Sequence, residues 1–259
     1  MPTTPKAHFD EDIARALSIV NVADGLPAAN DAERLVRDDV LRSAWMFAVG
    51  AMDAYFCDAY VAVLARTLRG KQLQPNINLP AFIRSIKIPI GSILASYTRR
   101  PNWRWRMAAR QMLAKDNVLA LDKVKKLFNP FFRDNQKLFG NVIDPWIALP
   151  GATAHLFGTT SAAYAAVAAG KPKKDARKTA LKAMTRRLGK LIQRRHDCIH
   201  NCDRPKNAPR PVGNPGSVRN VIRDIRFSVS NCDAHIDTEF GLFLDRIGCN
   251  AATKNALGY

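Results

Sequence analysis

Residues 217–247 read SVRNVIRDIRFSVSNCDAHIDTEFGLFLDRI. Val218, Ile222, Ile225, Val229, Cys232, Ile236, Phe240, Phe243 and Ile247 recur there at steps of three and four. Side chains so spaced line one side of an α-helix, so the stretch predicts a single helix of about eight turns with an unbroken apolar seam. Such a seam requires partner helices along its whole length. Ser217 is the expected N-cap.

Outward from this helix the same period persists. A long helix is expected over 175–200, joined to the last one by a loop, 201–216, rich in Pro, Asn and Gly. Another is expected over 31–68, where Leu41, Trp45, Ala48, Met52, Phe56, Tyr60 and Leu64 share a stripe, Asn30 or Asp31 caps the start and Gly70 closes the end. A shorter helix is expected over 9–22, ended by Gly25 and Pro27, and small residues run from 152 to 169 until Gly170-Lys171-Pro172 breaks the helix. No alternating apolar–polar run bounded by hairpin turns is found, so the fold class is all-α. Six prolines between Pro75 and Pro145 divide 71–150 into short pieces, placed at 81–86, 103–113 and 119–128. This region reads as an insertion packed on the bundle, within one domain spanning 1–259, and residues 250–259 read as a flexible tail.

Lys and Arg number 40 against 22 Asp and Glu, a formal net charge of +18. That surplus favours a polyanionic partner, nucleic acid first. No signal peptide, lipidation motif or membrane-length apolar run is read, so no membrane partner is expected. Five cysteines, an odd and sparse set, speak against a disulfide framework and for a reducing, cytoplasmic setting.

The chemistry-bearing stretch is LIQRRHDCIHN, residues 191–201. Leu181, Met184, Leu188 and Leu191 lead by helical steps to Arg195 and Ile199, so Arg195 is expected to extend the apolar stripe and to need a partner. His196 and His200 lie four apart and share a side of the helix. An imidazole can move the proton of a ribose 2′-OH or of a leaving 5′-oxygen, while a guanidinium steadies the phosphate. The bland readings are a structural salt bridge for Arg195, an exposed helix-end cation for His196 and a capping role for His200. His196, Cys198, His200 and Cys202 also form two interleaved i, i+4 pairs, but successive pairs face different ways, and neither a metal site nor a cofactor is expected.

Arg195, His196 and His200 fill the Arg–polar–three residues–His pattern of the HEPN superfamily. With Asp197, Ile199 and Asn201 around them, the wording resembles most the RiboL-PSP-HEPN group. The resemblance covers 31–68 and 175–247, and 71–150 matches nothing known. It implies a HEPN-like bundle of long antiparallel helices and a metal-independent endoribonuclease of toxin or phage-defence type. Its composite site would form in a two-fold homodimer, with an antitoxin or defence-system partner. Arg195 and His200 would then be the catalytic core, His196 the polar helper and Asp53 the acid holding the motif Arg. The Tyr that some relatives carry two residues after the His is Cys202 here. The competing reading is a non-catalytic HEPN protein that binds RNA or a partner.

Two lesser signals remain. Basic residues crowd 171–195, and Lys178, Lys182, Arg187, Lys190 and Arg194 are the candidate RNA contacts, as a solvated stripe leading to the motif. Tyr97 to Arg106 interleaves aromatics with arginines, either as core anchors of the insertion, the favoured reading, or as a stacking platform for single-stranded RNA.

Overall fold

Thr4 and Pro5 start the first helix a turn earlier than the apolar periodicity alone predicts. Helix α1 spans Pro5–Asp24. The Thr4 hydroxyl accepts from the Ala7 N–H at 3.2 Å, and Pro5 stands where no donor is needed. The helix buries Phe9, Ile13, Ala16 and Val20, and the Phe9 ring meets Tyr55 edge-on at 5.8 Å. Helix α2 spans Asp31–Leu73. Asn30 is the cap, accepting from the Glu33 N–H at 2.9 Å, while Glu33 accepts from the Ala29 N–H at 2.8 Å.

This computed structural model describes residues 4–87, 103–113, 120–140, 142–204 and 210–259. Among the described residues every regular element is a helix and there is no strand. After α2 come α3 (Ala81–Arg84), α4 (Trp103–Leu113), α5 (Leu121–Phe128), α6 (Ile143–Ala148), α7 (Ala154–Phe157), α8 (Ser161–Ala165), α9 (Lys171–Asn201), α10 (Pro215–Arg246) and α11 (Ala251–Leu257). The all-α class stands.

Several expected boundaries move. Gly70 does not end α2: a Cβ there would lie 3.3 Å from Leu257 Cδ1, so the glycine serves close packing of α11. The stretch 152–169 is two short helices capped by Thr153 and Thr160, with Gly158 between them at φ +69°. Gly170 is the N-cap of α9, and Pro172 sits harmlessly in its first turn. Asn214, not Ser217, caps α10, its side chain accepting from the Ser217 N–H at 2.9 Å. The expected tail is α11, capped by Asn250 and anchored by buried Leu257. By length and composition α2 also has a window apolar enough to cross a membrane, contrary to the sequence reading, and 67% of it is buried inside the protein, as in a core helix.

Two compact units emerge, Met1–Tyr55 with Phe139–Asn231, and Phe56–Leu138 with Cys232–Tyr259. Residues 71–150 are thus divided between them. In the first unit, Asp224 on α10 is fully buried, receiving Arg187 Nε at 2.9 Å and the Thr153 hydroxyl at 3.0 Å. In the second, Phe131 is the hub of an aromatic cluster, with Phe82 at 5.1 Å and Phe243 at 5.0 Å. Buried Glu239 there receives Arg133, whose hydrogen bonds outweigh burial and hold the carboxyl below its usual range. Every seam residue from Val218 to Ile247, the last just past the end of α10, is buried within the single chain. The seam is therefore covered without a second copy, and gives no argument for one.

Candidate functional site

The C-terminal end of α9 is closed by two residues in left-handed conformation, Cys202 at φ 48° and Asp203 at φ 56°. The Asp203 N–H reaches back to the Asp197 carbonyl at 3.0 Å, which satisfies one carbonyl left open by the helix end. The same turn drives the Asp203 carboxylate inward, where it is fully buried. Three arginines meet it. Arg42 Nε donates at 3.1 Å, Arg194 Nη2 at 2.8 Å and Arg210 Nε at 2.9 Å. Burial would raise the carboxyl, but these hydrogen bonds and charges outweigh it and hold the acid below the ordinary carboxylate range. Arg194 also lies over the Trp45 ring, 4.9 Å from its centroid, and Arg210 bridges on to Asp197.

One residue along from Arg194, the environment changes. Arg195 is half-buried, and among the described residues no acid lies within ion-pair distance of it. Asp53 is near enough to feel Arg195 and His196, yet its Oδ1 is buried without a hydrogen-bond partner. Burial accordingly wins there, raising the Asp53 carboxyl above its usual value against the pull of Arg195 and then His196. His196 is half-buried and His200 exposed, with their rings stacked at 6.2 Å and 11° between planes. No hydrogen bond from the His200 ring is seen among the described residues; the backbone turn at Cys202 and Asp203 closes the helix. Ile199, expected to continue the buried stripe, is 52% exposed, because the buried side passes instead through Ile192 and Cys198.

Arg187 and Arg194 are not solvated: buried Asp224 and Asp203 hold them. Lys178, Lys182 and Lys190 are exposed as expected, and Arg186, at the matching helical step, completes their row. Sequence reading missed Arg42, Asp203 and Arg210 altogether. Asp203 pairs with Arg42 across 161 residues, a contact no local pattern announces. Among the described residues no three His, Cys, Asp or Glu side chains form a group able to hold a metal ion.

The Trp103–Arg106 part of the aromatic–arginine stretch opens α4, while Tyr97 to Asn102 lie outside the described residues. Trp103 and Trp105 are half-buried, and Trp105 Nε1 donates to Gln72 Oε1 of α2 at 3.2 Å. Compared with known proteins, the chain matches no family model, no curated protein and no solved structure.

Proposed function

We propose that the chain is an endoribonuclease that cuts RNA through Arg195, His196 and His200 without a metal. The observation that carries this reading is the stacked pair of imidazoles on the last turns of α9, His200 exposed and His196 half-buried, beside a half-buried arginine and at the end of the exposed row Lys178, Lys182, Arg186 and Lys190. Side chains whose only task is stability are normally paired, as Arg194 is; among the described residues no acid pairs with Arg195 and no hydrogen bond holds the exposed His200 ring.

In the proposed reaction the ribose 2′-oxygen attacks the adjacent phosphorus as an imidazole takes its proton, and the bond to the 5′-oxygen breaks. A second imidazole gives a proton to that 5′-oxygen, leaving a 2′,3′-cyclic phosphate and a 5′-hydroxyl end. Arg195 offsets the charge that builds on the phosphate. His200 is the first proton carrier, and a second copy of the chain, related by a two-fold axis, supplies the other. His196 orients the phosphate. The homodimer and the toxin or defence setting rest on the family resemblance.

Purified protein incubated with total RNA in EDTA tests the reading. The expected result is cleavage with cyclic phosphate ends, lost at least about a hundredfold in a folded His200→Ala protein. Near wild-type cutting by His200→Ala sinks the assignment. RNA binding with no cutting by the wild type identifies instead a non-catalytic RNA-binding protein. Light scattering reads the assembly, and an active species at the 28.7 kDa of one chain removes the dimer.

A further inference from the structure

Asp197 is an acid inside the motif, one residue after His196 and three before His200. At a spacing of three, an acid and an imidazole are neighbours on a helix surface and can pair. A carboxylate paired in that way would hold the imidazole as its cation and would repel a phosphate arriving there. Here both of its oxygens are engaged elsewhere. Gln193 Nε2 donates to Oδ1 at 2.9 Å and Arg210 Nη2 to Oδ2 at 2.5 Å. These hydrogen bonds, Gln193 first and Arg210 second, hold the Asp197 carboxyl below its ordinary value. Among the described residues no ion pair joins it to either histidine.

Arg210 is itself fixed at both ends. Its Nε donates to buried Asp203 at 2.9 Å, its backbone N–H reaches the Asp203 carbonyl at 3.0 Å, and its own carbonyl accepts from Arg42 at 2.7 Å. A cation so anchored stays in place and keeps the acid with it. The other charged or titratable groups around the imidazole pair are Arg195 on α9 and Asp53 on α2. Past the helix end come Cys202 and Arg204, both exposed, and Asp203, already met by Arg42, Arg194 and Arg210.

We propose that Arg210, together with Gln193, is a positioning residue for the site on α9. It keeps Asp197 off His200, so that an RNA phosphate meets the imidazole pair without a carboxylate competing for it. The purpose of this clamp rests on the nuclease reading above, whereas the clamp itself is read without RNA.

The test follows the histidine ring C–H signals of the full-length protein by NMR from about pH 5 to about pH 8. Of the five histidines, His200 is the one whose signal His200→Ala removes. Arg210→Gln frees one oxygen of Asp197, and the titration midpoint of His200 is expected to rise by about half a unit. In EDTA, the pH at which the proton-accepting imidazole becomes available for cleavage should move up with it. Adding Asp197→Asn to Arg210→Gln should return both to their wild-type positions. That double variant has lost the same contacts with Asp203 and should melt as early as the single one, so a merely structural role predicts no such rescue. If Arg210→Gln does not fold, Gln193→Ala, at an exposed position, releases the other oxygen. It should give a smaller rise that Asp197→Asn also cancels. An unchanged His200 midpoint, or a rise that persists once Asp197 is replaced, overturns the proposal and leaves Arg210 as a brace for Asp203 alone. The expected rise and rescue without any cutting by the wild type leaves the clamp standing and removes the nuclease reading, so the two failures have different signatures.

Discussion

Asp203 and Asp53 are both acids next to α9 arginines, yet their carboxyls move in opposite directions. Asp203 accepts from Arg42, Arg194 and Arg210, and these contacts hold it ionised despite full burial. Asp53 feels Arg195 and His196 without a hydrogen bond to its buried Oδ1, and burial raises it. A buried ion group is tolerable only when its lone pairs are met, and the Asp203 node meets that condition. The Asp53–Arg195 side does not, within one chain. The difference separates charge that fixes the end of α9 from charge still open to a substrate or a second subunit.

The sharpest way to break the comparison is Asp203→Asn. Removing one member of a buried ionic group leaves the others uncompensated, a loss of about 3 kcal/mol or more. For a chain of this size that lowers the melting temperature by roughly 6 °C or more. The pH dependence has a definite sign. A carboxyl held below its unfolded value of about 3.9 contributes stability at pH above that value and loses it as pH falls through the depressed folded value. Urea midpoints from pH 6 downward should therefore converge for wild type and variant at the acid end. A variant as stable as wild type at pH 7 would mean that the three arginines do not depend on Asp203.

Adjacent arginines give the next test. Arg194→Gln should cost about 2 kcal/mol, since it forfeits charged hydrogen bonds to Asp203 as well as its seat over Trp45. Arg195→Gln should leave the melt nearly unchanged and remove cleavage. Thermal melts and cleavage time courses on the same two proteins decide it; reversed outcomes would exchange the roles of the two residues.

That neighbouring arginines differ so much also explains what the sequence could convey. The long helices were legible because their apolar residues repeat every three or four positions, and α10 shows this over its full length. Thr4-Pro5 and Asn250 each carry a local cap signal that apolar periodicity alone passes over. In sequence, a glycine needed for the close approach of Leu257 looks the same as a helix terminator, which is why Gly70 does not announce its role. Arg195, His196 and His200 lie on one helix, so their proximity followed from spacing. The Asp203 node did not, because it depends on two left-handed residues and on Arg42 far away in the chain. The slow drift of the buried face around α9 decides that Ile199 faces outward, and a three-four count carried past Leu191 misses it.

The smallest expected effect is on Asp53, and its sign is the informative part. A carboxyl whose folded value is raised binds its proton longer in the native state than in the unfolded one. Between the unfolded value near 3.9 and the raised folded value, stability then falls as pH increases, and the cost persists at neutral pH. Asp53→Asn removes that cost while keeping the shape of the side chain. The variant should be as stable as wild type at pH 7 or slightly more so, and its urea midpoint should vary less between pH 4 and 7. At low protein concentration, where a dimer would separate, the gain should be greatest, because a partner subunit or RNA phosphate that reorganises Arg195 would also change what Asp53 meets. A clear loss of stability at pH 7 would show that Asp53 and Arg195 are paired in solution after all. The two acids would then be alike, and the open side of α9 would lose its physical distinction from the Asp203 node.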